Sequence, residues 1–170
     1  AWTHEEERGY ASRRGATYDR YIPRAEGAGW WDGLYSHLFV TEPGSMQATR
    51  LTDGPYEISQ PMWAPDGRSI AYLSHIHAGD PNLDGLEPQR GLYILSLEDG
   101  SRVQAVPGSY AIDRYAWSPD GSTLAFIGHD GRYGAGTQLA LYVVDLKRPG
   151  SEAIIRLSAE DVQLGVSVLN

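Results

Sequence analysis

The sequence predicts an all-β fold of repeated four-stranded antiparallel meanders, and three observations carry that prediction. A unit running from Gln60-Pro61-Met62-Trp63-Ala64-Pro65-Asp66-Gly67 to Ile70-Ala71-Tyr72 recurs as Arg114-Tyr115-Ala116-Trp117-Ser118-Pro119-Asp120-Gly121 to Leu124-Ala125-Phe126, at an offset of 54 residues. A shorter unit occurs as Leu38-Phe39-Val40, Leu92-Tyr93-Ile94 and Leu141-Tyr142-Val143, each followed by a turn (Pro43-Gly44-Ser45, Asp99-Gly100-Ser101, Pro149-Gly150-Ser151) and another apolar run. Self-similarity at a fixed period marks a repeat architecture. No long stretch carries a clean helical apolar period, so helices are minor at best.

Taken in order, residues 17–24 and 37–41 read as later strands of a partial unit. One full period then gives strands at 58–64, 69–74, 91–97 and 102–106, and the same set repeats from Ile112 to about Leu157. Leu38 to Trp63 and Leu92 to Trp117 are both 25 residues, whereas Trp63 to Leu92 is 29 and Trp117 to Leu141 is 24, so length variation is confined to one loop. The Pro-Asp-Gly strings set tight hairpins. Pro presets φ for the first central turn position, Asp bonds the following backbone, and Gly takes the positive-φ site. Ile70-Ala71-Tyr72-Leu73 and Leu124-Ala125-Phe126-Ile127 are continuously apolar, as a strand covered on both faces by stacked sheets must be. Trp63 and Trp117, at equal repeat positions, are assigned to the core. The expected architecture is a partial β-propeller: a partial blade with a long insert over about 1–53, full blades at 54–107 and 108–158, and the first strand of a further blade at 159–170. That last strand carries Val166 where the repeat places a Trp.

Composition bounds the function classes. The 170 residues contain 20 Gly and 10 Pro, above the roughly 12% average for the two together, as a turn-rich fold requires. Fourteen Lys and Arg against 22 Asp and Glu give a formal charge of −8, which removes the attraction to phosphate on which nucleic-acid binders rely. With no cysteine there is no disulfide framework, thiolate metal site or Cys nucleophile. The apolar run at 139–144 is far shorter than the about 20 residues a membrane-spanning helix needs, so no membrane partner is expected. Ala1-Trp2-Thr3-His4 followed by Glu5-Glu6-Glu7 has neither the basic start nor the apolar stretch of a signal peptide. Cytoplasmic residence is therefore expected, as is an origin within a larger polypeptide. The Glu5-Glu6-Glu7-Arg8 run with Arg13-Arg14 reads as a solvated loop or a contact with a further domain.

The Trp-Ser/Ala-Pro-Asp-Gly strings with their following apolar strands resemble the propeller repeat shared by TolB-like proteins and the prolyl oligopeptidase family of serine peptidases. Three further stretches resemble the acylaminoacyl-peptidase branch of that family. They are Tyr18-Asp19-Arg20-Tyr21-Ile22-Pro23-Arg24 through Gly29-Trp30-Trp31-Asp32-Gly33 to Phe39-Val40, then Leu51-Thr52-Asp53-Gly54-Pro55, and Phe126-Ile127-Gly128-His129-Asp130. The resemblance implies a propeller of about seven blades preceding an α/β-hydrolase domain with a Ser-Asp-His triad, and restricting access to short or N-acylated peptides. No triad member maps onto this chain. A nucleophile elbow needs Gly-x-Ser-x-Gly between strand and helix, and the nearest strings, Gly67-Arg68-Ser69-Ile70-Ala71 and Gly165-Val166-Ser167-Val168-Leu169, lack the final Gly. The chain alone is expected to be inactive. The rival reading is a non-enzymatic TolB-like or WD40-like protein-binding scaffold, and a propeller lyase or glycan-binding enzyme with a channel metal is a third.

The candidate residues each have a plain structural alternative. Trp30 and Trp31 are candidates for an aromatic wall at the propeller mouth, or else pack a hairpin tip. Arg20, Arg24 and Arg114 are candidates for holding a substrate carboxylate, or else form surface ion pairs. Asp80, Asn82 and Asp84 have the spacing of a Ca²⁺ loop, but loop position twelve is Gly91 rather than a bidentate Glu, so a polar turn is preferred. His75 and His77 share a strand face and would suit Zn²⁺ only with a third ligand from Asp80, Asp84 or His129. No metal or other cofactor is expected. The expected partners are the remaining blades and hydrolase domain of the same protein, peptide substrate of the parent enzyme, and further copies of this chain. Self-association follows from strand edges and apolar faces that an incomplete ring leaves uncovered.

Overall fold

A computed structural model describes residues 24–25, 29–30, 34–74, 90–133, 137–148 and 153–159. The chain divides into two compact units, one of residues 1–34 with 80–87 and the other of 35–79 with 88–170. In the first, strands β1 (Arg24–Ala25) and β2 (Gly29–Trp30) form an antiparallel hairpin with Arg24 opposite Trp30.

The second unit carries β3 (Phe39–Thr41), β4 (Ala48–Arg50), β5 (Ile58–Trp63), β6 (Ser69–Ser74), β7 (Gly91–Ser96), β8 (Arg102–Val106), β9 (Ala111–Trp117), β10 (Thr123–His129), β11 (Ala140–Asp145) and β12 (Ile154–Arg156). β3 pairs with β4, while β5-β6-β7-β8 and β9-β10-β11-β12 are antiparallel sheets in sequential order, the meanders expected from the repeat. Among the described residues no helix is long and apolar enough to cross a membrane.

Equal sequence gives equal local structure in the two sheets. Gly67 donates its N–H to Ala64 O at 2.9 Å, and Gly121 donates to Ser118 O at the same distance. Asp66 Oδ1 accepts from the Arg68 N–H at 2.9 Å, and Asp120 Oδ1 from the Ser122 N–H at 3.1 Å. Both glycines sit at positive φ, +67° and +69°, where an L side chain is strained.

Strand β6 shows why the apolar run is unbroken. Alternate residues point to opposite faces. Ile70 and Tyr72 join Tyr93 and Leu95 in a core that includes Leu38 and Ile58, with Leu51 against it. Ala71 and Leu73 join Leu92 and Val106 against Tyr115, Leu124, Phe126, Tyr142 and Val144 of the second sheet. Both faces of β6 are therefore covered. Each fully buried side chain such as Tyr72, Leu73 or Phe126 contributes on the order of 2 kcal/mol from apolar area removed from water.

The segment before β5 is anchored by polar contacts. Buried Thr52 accepts the Leu38 N–H through Oγ1 at 2.9 Å, and Arg50 Nε donates to Thr52 O at 2.7 Å while pairing with Asp53 at 2.7 Å. On the outer strand β8, Arg102 donates to Tyr56 Oη at 3.0 Å and lies over the Tyr56 and Tyr93 rings.

Trp63 corrects the expectation that both repeat tryptophans lie in the core. Trp117, opposite Leu124, packs against the core between the two sheets, but Trp63, opposite Ile70, is 50% exposed. Both rings face the preceding segment of chain. A four-stranded sheet precedes Trp117, whereas within the same unit the described residues preceding Trp63 offer only the two short strands β3 and β4.

Candidate functional site

The first strands of the two four-stranded sheets are joined by hydrogen bonds. Pro61 has no N–H for the ladder, and the β5–β6 register shifts between Ser59 and Met62, where Gln60 takes φ +51°. This turns the Gln60 backbone and side chain toward the second sheet. The Tyr115 hydroxyl donates to Gln60 O and is 2.9 Å from Ala71 O, and Gln60 Nε2 donates to Asp113 O at 3.0 Å. Burial pushes the Tyr115 hydroxyl pKa upward, so it remains a proton donor throughout the ordinary pH range.

Beside this junction is a cavity of about 300 Å³ lined by Gln60, Arg90, Asp113, His129 and Leu139. His129 ends β10, and its Nδ1 accepts the Gly131 N–H at 3.1 Å. Gly128 lets β10 approach β9 closely, since a Cβ there would stand 2.3 Å from Ala111 O. The cavity combines a carboxylate, a guanidinium, an imidazole and an amide: groups that bind and orient polar ligands.

Arg114 stands next to the cavity on β9, with its side chain 74% exposed and Nε 2.7 Å from Asp113 Oδ2. Its present partner is thus the neighbouring carboxylate. Arg24 and Trp30 are brought opposite each other by the β1–β2 hairpin. Arg20, Trp31, His75, His77, Asp80, Asn82 and Asp84 lie outside the described residues. Among the described residues, no three His, Asp or Glu side chains are grouped to hold a metal ion.

Ser69 opens β6 directly after the Gly67 turn, which is a hairpin rather than the strand-to-helix elbow of a serine nucleophile. Sequence reasoning missed Gln60, Asp113 and Arg90 as neighbours. The one local signal was Pro61 inside an otherwise strand-like run, a mark of a bulge.

Antiparallel four-stranded sheets in sequential order, stacked face to face, define a β-propeller type of fold. Solved structures agree: TolB from Acinetobacter baumannii superposes with a TM-score of 0.53 at 20% identity, covering 72% of this chain and 26% of that one. Oligogalacturonate lyase from Vibrio parahaemolyticus gives 0.56 at 20% identity, covering 82% of this chain and 34% of that one. In sequence, the chain is similar to the uncharacterized peptidase YuxL of Bacillus subtilis (strain 168), 29% identical over 93 residues. That similarity spans 55% of this chain and 13% of the relative, in keeping with the resemblance to peptidase propellers. No protein-family model matches the sequence.

Proposed function

We propose that this chain is the propeller segment of a serine peptidase of the prolyl oligopeptidase family, of the acylaminoacyl-peptidase type, and that it gates access of short or N-acylated peptides to a hydrolase domain carried elsewhere in the same polypeptide. The similarity over 93 residues to a peptidase carries this reading. The insert around Trp30 and Trp31 supports the finer assignment. In this role the chain supplies walls and polar contacts, with Arg20, Arg24 and Arg114 as candidates for the substrate carboxylate, while bond cleavage belongs to a triad outside these residues. Its structural partners are the neighbouring blades of the parent protein. Where they are missing, copies of the chain cover one another's exposed sheet faces.

The test is to express the full-length polypeptide that contains this sequence, label it with a fluorophosphonate probe for activated serines, and assay it on an N-acetylated dipeptide nitroanilide. Labelling together with hydrolysis supports the reading. A full-length product that neither labels nor hydrolyses overturns it in favour of a protein-binding scaffold of TolB type.

A further inference from the structure

A second cavity, of about 330 Å³, opens between the loop that follows β10 and the end of β12. Among the described residues its walls carry two guanidinium groups, Arg132 and Arg156, against one carboxylate, Asp130. Strand register sets Arg156 directly opposite Tyr142 of β11, so the two side chains share a face. Tyr142 is a fixed wall: its ring stacks on Phe126 at 4.9 Å and meets the edge of Tyr110 at 5.3 Å. Arg132 is placed by a turn in which Asp130 Oδ1 accepts its backbone N–H at 3.1 Å and Gly131 adopts φ +70°.

Both guanidinium groups hold weak contacts at present. Arg132 Nε is 3.8 Å from Asp130 Oδ2 with its side chain 65% exposed, and Arg156 Nη2 reaches Ala159 O at 3.4 Å. An exposed pair at such a separation contributes little, so an incoming anion displaces it readily. The described lining keeps one positive charge in excess. Planar guanidinium groups match the two oxygens of a carboxylate. The space exceeds what a carboxylate alone fills. Gln138 and Thr137 add amide and hydroxyl groups suited to a peptide bond, and the Thr137 hydroxyl accepts the Tyr133 N–H at 2.8 Å.

We propose that this cavity binds the terminal carboxylate of a short peptide, with Arg156 and Arg132 holding the carboxylate and Tyr142 forming the rigid wall behind it. The site needs no hydrolase domain and stands whether the parent is a peptidase or a scaffold.

Calorimetric titration of the full chain at low salt with N-acetyl-trialanine, its C-terminal amide and inorganic phosphate provides the test. The free acid is expected to bind one to one, and the amide at least about tenfold more weakly. Arg156→Gln and Arg132→Gln are each expected to weaken the acid by about tenfold or more, with the circular dichroism unchanged, and Arg156→Lys to fall between. Arg132 lies in an exposed loop and serves as the readout should an Arg156 variant fail to fold. Equal binding of acid and amide, full affinity in the arginine variants, binding of phosphate without the peptide acid, or no binding at all overturns the proposal.

Discussion

Tyr115 joins the two sheets through a single hydroxyl that serves Gln60 O and Ala71 O in the first sheet. Removing it takes away the one proton that Gln60 O and Ala71 O share at a packed junction. Tyr115→Phe is therefore expected to lower stability by about 1–3 kcal/mol in urea denaturation, and to loosen the cavity at Gln60. Asp120 gives a pH dependence whose sign is fixed by its partners. The Ser118 hydroxyl, then the Ser122 N–H, hold its carboxyl at about 2 against an ordinary 3.8. A carboxyl depressed in the folded state adds stability above its unfolded pKa, and that contribution is lost as pH falls from near 3.8 through about 2. Urea midpoints measured from neutral to acid pH should fall through that window, with a smaller fall in Asp120→Asn. Unchanged slopes in the variant would remove Asp120 from the account.

At the scale of the element, the hairpins were legible in the sequence because their chemistry is local. Pro, Asp and Gly each set one turn feature, and the same hydrogen bonds appear after Ala64 and after Ser118. The bulges were less legible, because a bulge depends on what the partner strand brings close. Two glycines separate these cases. Gly67 has open space around its missing Cβ and a φ of +67°, so Gly67→Ala is expected to cost about 1 kcal/mol from backbone conformation alone. Gly128 has the opposite problem: a Cβ would stand 2.3 Å from Ala111 O, and β9 would have to move. Gly128→Ala is expected to cost more, up to about 3 kcal/mol, with a shift of the Tyr115 junction. Thermal melts of the two variants compare them directly, and equal losses would mean that the β9–β10 approach is not tight.

For the whole molecule, the second sheet differs from the first in how its faces are covered. The face carrying Leu124, Phe126, Tyr142 and Val144 is buried against the first sheet. The other face carries Ile127, Val143 and Ile155, with Leu157 beyond the strand; Ile155 is 50% exposed and Leu157 58%. Sedimentation of the chain across a range of concentrations is expected to show self-association through such faces, reduced by the double change Ile155→Lys and Leu157→Lys. A monodisperse monomer at every concentration would show that these faces need no cover.

The sequence by itself determined the strand order, the repeat, the hairpin turns and the absence of a serine elbow, because each follows from local backbone chemistry or from the two-residue alternation of a strand. Only the tertiary structure decided that Trp63 is half exposed while Trp117 is packed, since burial depends on the sheet lying next to a ring and not on the motif containing it. It likewise decided that Gln60 meets Asp113, and that Arg132 and Arg156 share one cavity. Those residues are far apart along the chain, and sheet stacking and strand register alone bring them together.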